Sequence, residues 1–148
     1  MIPIYIFDLD GTLALTEHRQ HLVRNGNQDW DAFFEACDQD KPNISVIKTL
    51  QMLSKHADIW VWSGRSDAVK NKTVNWLRDN EILPHIQRIK MRGNGDHTPD
   101  DELKLSWFND LFFEDQKRVV AVFDDRAKVV KMWRAIGVPC FQVAEGDF

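Results

Sequence analysis

At 148 residues, with 43% hydrophobic and 28% charged side chains, the chain has the make-up of an ordinary soluble globular domain able to bury its own core. A formal charge of −4 and a pI near 5.7 speak against a protein that coats nucleic acid along its length, so a polynucleotide would be gripped at an end. No apolar run is long enough to cross a bilayer, and Cys37 and Cys140 are too few and too far apart for a disulfide framework or a zinc site; buried thiols in a reducing cytoplasm are expected.

The first predicted element is a strand over residues 3–7, within an apolar opening that has neither the basic leader nor the cleavage site of a signal peptide. It runs into Asp8-Leu9-Asp10-Gly11-Thr12. Two carboxylates one residue apart at the exit of a buried strand repel each other and favour a bound cation. Gly11 permits a tight turn, after which the Thr12 hydroxyl and nearby amides could face an anion. The same letters also read as a plain turn or the start of a calcium loop. The residues that follow, Thr12-Leu13-Ala14-Leu15-Thr16, supply none of the further oxygen ligands such a loop needs.

Residues 17–43 break the pattern of the rest. They read as two short helices around Asn25-Gly26-Asn27, inserted directly after Asp10 as a small lid or cap. Beyond them, strands are expected at 59–62, 86–91, 119–123 and 140–143. Helical faces are marked by Val46, Ile47, Leu50 and Leu53; by Val69, Thr73, Trp76 and Leu77; by Leu103, Trp107 and Leu111; and by Val129, Val130, Trp133 and Ile136. Gly137 and Pro139 close the last of these. Alternating strands and helices imply a single α/β domain over 1–148, a three-layer, mostly parallel sheet with helices on both faces.

In such a sheet ligands bind at the carboxyl ends of the strands. Three further groups fall there or close by. Ser63-Gly64-Arg65 follows the 59–62 strand; it reads as a hydroxyl, free amides and a guanidinium for a phosphoryl oxygen, or as a simple helix N-cap. Asp124-Asp125 ends the 119–123 strand, with Asp125 also a candidate N-cap. Lys104 sits early in a helix introduced by Thr98-Pro99-Asp100-Asp101, read as N-cap, first-turn proline and first-turn acids, and it shares a stripe with Phe108 and Phe112. That position is poor for a cation in the helix dipole, and it points to an inward-facing lysine or to a surface one offset by Asp100 and Asp101.

Asp8-x-Asp10-Gly-Thr, Ser63, Lys104 and Asp124-Asp125, in this order, resemble the haloacid dehalogenase superfamily of phosphotransferases. The tail from Asp124 to the C-terminus, the segment from Arg92 to Lys104, and Arg19 are similar to the phosphatase domain of phage polynucleotide kinase/3′-phosphatases; the 17–43 segment matches only loosely. The resemblance implies a Rossmann-like fold and a Mg²⁺-dependent phosphomonoesterase. Asp8 would be the nucleophile and Asp10 the general acid and base. Lys104 would be the catalytic cation. Thr12, Arg19, Ser63, Gly64, Arg65 and Asp100 would be the phosphate and substrate contacts. Asp8, the Asp10 carbonyl, Asp124 and Asp125 would hold the metal.

The substrate implied is the 3′-phosphate of a nucleotide or nucleic-acid end. Arg19, Arg65 and the run Arg88, Lys90, Arg92 are candidates to hold the backbone, and Trp30, Phe33 and Phe34 either stack a base or pack the core. No Gly-x-x-x-x-Gly-Lys-Ser/Thr loop is present, and Met1 stands directly before the first strand. The expectation is therefore a free-standing phosphatase or a separated half, working beside a separate kinase or ligase in the cytoplasm, of the host cell if phage-encoded. A 5′-nucleotidase on the same scaffold and a non-catalytic nucleotide-binding module are the competing expectations. The five histidines suggest no ligand set.

Overall fold

The computed structural model describes residues 1–146; Asp147 and Phe148, the last two residues of the tail, lie outside the described residues. In chain order the elements are β1 (Ile4–Phe7), β2 (Ala14–Leu15), α1 (Trp30–Glu35), β3 (Lys41–Pro42), α2 (Ile44–Leu53), β4 (Asp58–Ser66), α3 (Lys70–Asp79), β5 (Arg88–Arg92), α4 (Asp100–Asn109), α5 (Phe113–Arg118), β6 (Val119–Asp124), α6 (Ala127–Ala135) and β7 (Cys140–Gln142). Among the described residues, five strands form one sheet in the order β5-β4-β1-β6-β7, and every pairing is parallel. The chain steps outward from β1 in one direction and then, from β6, in the other. The end of β1 is thus the crevice where the strand order reverses, the place such sheets bind ligands.

Alternation along the strands divides the core in two. Ile4 and Ile6 of β1, Trp60 and Trp62 of β4 and Val122 of β6 face α4 and α6, meeting Leu103, Trp107, Val129, Val130 and Trp133. Phe7, Ile59 and Val61 face the other way, onto Val46, Ile47 and Leu50 of α2 and Trp76 and Leu77 of α3. Trp133 has no exposed surface, and its truncation to Ala would cost about 3–5 kcal/mol. Two expected core positions fall outside it. Ile136 and Phe112 lie past the ends of α6 and α4 and are exposed, because each helix stops before the next turn of the stripe. Gly137, at φ +85°, closes α6 in the left-handed region that favours glycine.

Between β1 and α2 the chain forms β2, a 3₁₀ turn over Glu17–Leu22, α1, a 3₁₀ turn over Ala36–Gln39, and β3. β2 and β3 pair antiparallel, Ala14 opposite Pro42 and Leu15 opposite Lys41. This two-residue ribbon was not legible in the sequence. It brings both ends of the insertion back beside β1, so the Glu17–Leu22 turn and Asp40 return to Asp10.

Candidate active site

The reacting end of β1 is fixed from both sides. The Asp8 amide donates to the Phe123 carbonyl at 2.9 Å, tying β1 to β6 one residue past the last strand position. Gly11 turns the chain at φ +82°, where a side chain would strike the Asp125 carboxylate; only glycine fits. Asp8, Asp124 and Asp125 are all buried, and one carboxylate oxygen of each lies within 4.8 Å of the others. The Thr12 hydroxyl stands at 3.3 Å from Asp8 and 3.5 Å from Asp125. Asp125 caps no helix by its side chain; Asp124 does the local work, accepting from the Asp125 and Arg126 amides at 2.9 and 3.1 Å.

Lys104 points inward from α4 and is 2% exposed. Its ammonium donates to Asp8 at 2.9 Å and to Asp124 at 2.8 Å. Helix α4 begins one residue later than the sequence suggested: Pro99 precedes it, and Thr98 hydrogen-bonds Asp96 rather than capping the helix. One ammonium does not balance three buried carboxylates. Burial, then repulsion from Asp124, lifts the Asp8 carboxyl well above its ordinary range, against the pull of Lys104. Burial and the same neighbour push Asp125 up to about 6. Lys104 is held protonated: burial works against its charge, but Asp124 and Asp8 outweigh it. A set of buried oxygen ligands with surplus negative charge fits a hard divalent cation.

Asp10, two residues on, lives in the opposite environment. Arg19 donates to Asp10 Oδ1 at 2.7 Å, and Arg65 closes on the same oxygen. Beneath them lies Asp40, fully buried in its side chain, which takes Arg19 at 2.8 and 2.7 Å and Arg65 at 3.3 Å. Arg19 also donates to the Phe33 carbonyl at 3.0 Å and lies over the Phe33 ring; Arg65 donates to Thr73 at 3.0 Å. Burial alone would raise Asp10, yet the guanidiniums of Arg65 and Arg19 hold its carboxyl below the usual range. Both arginines are buried and their forks are turned inward to Asp10 and Asp40, away from any passing backbone. His18 reaches Asp40 from the surface at 2.6 Å.

Asp40 was missed in the sequence. The available signal was that Arg19 and Arg65, if buried, each need a carboxylate, and that Cys37-Asp38-Gln39-Asp40 offers acids where the insertion returns.

Ser63, Gly64 and Arg65 do not start a helix. β4 continues to Ser66, with its register to β5 broken between Ser63 and Ser66, and it is Ser66 that caps the following turn. The irregularity re-aims Ser63 and Arg65 at the strand end. Ser63 accepts from the Arg65 amide at 3.0 Å, and Gly64 leaves no room for a side chain because Asp100 fills the space. Asp100 is itself held by Arg92 at 2.6 Å and Arg126 at 2.9 Å, with its carboxyl lowered against burial by Lys104, Arg126 and Arg92. Of the insertion's aromatics, Phe33 is buried under Arg19, whereas Trp30 is exposed at the surface. Cys37 and Cys140 are buried and free, and burial pushes the Cys140 thiol up to about 12.

Residues 3–148 match the family model described as the polynucleotide kinase PNKP phosphatase domain. A protein of Autographa californica nuclear polyhedrosis virus, described as a bifunctional polynucleotide kinase/RNA ligase, is 34% identical over 134 residues, 89% of this chain and 18% of its own length. A chain of the Pnkp1/Rnl/Hen1 complex, an RNA repair complex, superposes with a TM-score of 0.81 at 33% identity, over 99% of this chain and 48% of its own. The HAD-hydrolase YfnB from Bacillus subtilis, solved with magnesium bound, shares the fold at a TM-score of 0.66 and 11% identity, over 97% of this chain and 93% of its own. The chain thus spans about half of the Pnkp1 complex chain and under a fifth of the viral protein.

Proposed function

The chain belongs to the family of polynucleotide kinase phosphatase domains and is a haloacid dehalogenase-type phosphatase; from that premise we propose that it removes the 3′-phosphate from polynucleotide ends, through a phosphoryl group carried on Asp8. The observation that carries this reading is the pairing of two acids of opposite character: Asp8 in a cluster with surplus negative charge, and Asp10 clamped by two arginines. A module that only bound nucleotides would have no use for an aspartate buried against a lysine at the point where a phosphate enters.

In the first half-reaction an Asp8 oxygen bonds to phosphorus and the P–O3′ bond breaks, with the leaving oxygen taking a proton from Asp10. Both arginine contacts fall on Asp10 Oδ1, so Oδ2 is the oxygen that carries the proton. The arginines favour the carboxylate, and the arriving phosphate dianion pushes the other way. In the second half-reaction Asp10 takes a proton from water, whose oxygen attacks phosphorus and releases Asp8. Ser63, Thr12 and Lys104 hold the remaining phosphoryl oxygens, and the Lys104 ammonium, beside Asp8, opposes the upward push on its carboxyl and favours the ionised form that attacks. Asp8, the Asp10 carbonyl and Asp124 or Asp125 would hold Mg²⁺, which supplies charge neutralisation and polarises a phosphoryl oxygen when bound.

RNA ends are the first substrates to test, because relatives of this chain include a component of an RNA repair complex. The 17–43 insertion is the lid of this site in the proposal. A kinase or ligase acting alongside is part of it too, since the product, a 3′-hydroxyl, is the end that a polynucleotide ligase joins. Assaying a 3′-phosphorylated oligonucleotide, a 3′-mononucleotide and a 5′-mononucleotide side by side, with Mg²⁺ and with EDTA, decides the matter. Mg²⁺-dependent turnover highest on the oligonucleotide is expected; preference for the 5′-mononucleotide would establish the nucleotidase alternative, and chelator-resistant turnover would remove the metal.

A further inference from the structure

β5 is one edge of the sheet, and its sequence Arg88-Ile89-Lys90-Met91-Arg92 places three cations and no acid in a chain of formal charge −4. Side chains alternate along a strand, so these three share one face at intervals of about 7 Å. Arg92, at the catalytic end, is committed to the protein: it donates to the Gly64, Asp96 and Thr98 carbonyls and to Asp100. Arg88 and Lys90 are exposed and meet indoles instead of carboxylates, Arg88 at 4.6 Å from the Trp60 ring centre and Lys90 at 5.4 Å from that of Trp107. With Trp62, Ile89 and Leu111 they line a shallow groove of about 350 Å³, and among the described residues its wall contains no acid. Phe112, next in sequence to the lining residue Leu111, is 80% exposed.

A row of cations leading away from a phosphate site, with an exposed aromatic next in sequence to a residue of the same groove, is the equipment that grips single-stranded nucleic acid. Arg88 lies four residues, about 13 Å, down the strand from Arg92, a reach of a few nucleotides. We infer that this groove holds the single strand upstream of the 3′ end, with Lys90 and Arg88 on its phosphates and Phe112 as a stacking surface. The inference rests on the reading of the active site as one for polynucleotide 3′ ends.

The test is an Arg88→Gln/Lys90→Gln variant, checked for an unchanged melting temperature. Wild type is expected to show KM falling as a 3′-phosphorylated single strand lengthens. The variant should lose most of that gain, with kcat and mononucleotide turnover unchanged. Its log–log salt slope for kcat/KM on the long strand should flatten by about 1.4, since each phosphate contact on a single strand contributes about 0.7. An unchanged length dependence and salt slope would overturn the inference and leave the cations as guards of a sheet edge. Binding of a labelled 3′-hydroxyl oligonucleotide, read by anisotropy, separates the two claims. If no 3′-phosphate is removed at all but the variant binds the strand more weakly, the groove stands and the active-site reading falls; equal binding by both proteins sinks the groove. Should the double variant fail to fold, Lys90→Glu, at an exposed position, makes the same comparison with one cation.

Discussion

Two buried charge clusters lie side by side at the end of β1, and their balance is opposite. Around Asp8, three carboxylates share one ammonium. Around Asp10, two carboxylates share two guanidiniums, with His18 reaching one of them. The first cluster leaves negative charge uncompensated in a largely buried site, and Asp8 and Asp125 are pushed upward; the second is compensated, and Asp10 is pulled down. Two residues of sequence separate an acid that needs a partner from one that already has two. The lesson is that burial alone does not set an acid's role; the count of neighbouring cations does.

The comparison breaks first at Asp8. Asp8→Asn should lower kcat by on the order of 10⁴-fold or more, because it removes the attacking oxygen. In metal-free buffer its melting temperature should match or exceed wild type, since a repelled carboxylate has been made neutral. A large loss of stability would mean that the cluster is balanced after all.

The second cluster should respond in the reverse sense. Arg65→Ala strips a fully buried counter-charge from Asp10 and Asp40 and should cost about 3–5 kcal/mol in urea unfolding. Arg65→Ala combined with Asp40→Ala should cost less than the sum of the two, the coupling expected of groups in one network. Additive losses would dissolve the network.

A smaller effect separates the clusters by pH. The Asp125 carboxyl rises from an ordinary 3.8 to about 6 on folding, so its contribution to metal-free stability is fully present below 3.8 and is lost as pH rises through 6. Mg²⁺ should therefore stabilise the protein more at pH 7.5 than at pH 5; at pH 7.5, with free metal at 100 times its Kd, the stabilisation is about 2.7 kcal/mol. The Mg²⁺ shift should shrink in Asp125→Asn. A thermal shift with no pH dependence would place the cation elsewhere.

Much of the first cluster was legible in the sequence, because each member sits where a strand or helix announces itself. Asp8 and Asp124 follow apolar strand residues directly, and Lys104 is out of place for the helix dipole. Of the second cluster, Asp10, Arg19 and Arg65 stand out in the sequence as site residues, the arginines as substrate contacts, but neither their pairing with Asp10 nor Asp40 was legible. Its arginines come from a 3₁₀ turn and an irregular strand end, and Asp40 comes from the far side of an insertion whose return depends on a two-residue ribbon. Neither has a periodicity to read. The same limit explains Ser63-Gly64-Arg65: a serine followed by glycine resembles a helix start, but the strand continues, and Arg92 of β5 donates to the Gly64 carbonyl. The five-strand sheet was visible from its apolar runs, and its order follows from parallel strands stepping out on both sides of β1.

The division of labour between Asp8 and Asp10 is the centre of this account, and locating the phosphoryl group tests it directly. The Mg²⁺ reaction with a 3′-phosphorylated oligonucleotide is quenched in acid, and the modified residue is mapped by tandem mass spectrometry in wild type and in Asp10→Asn, where release should be slowed. The expected result is a phosphoryl group on Asp8 that accumulates in Asp10→Asn. A phosphoryl group on Asp10, or turnover that persists in Asp8→Asn, would contradict it.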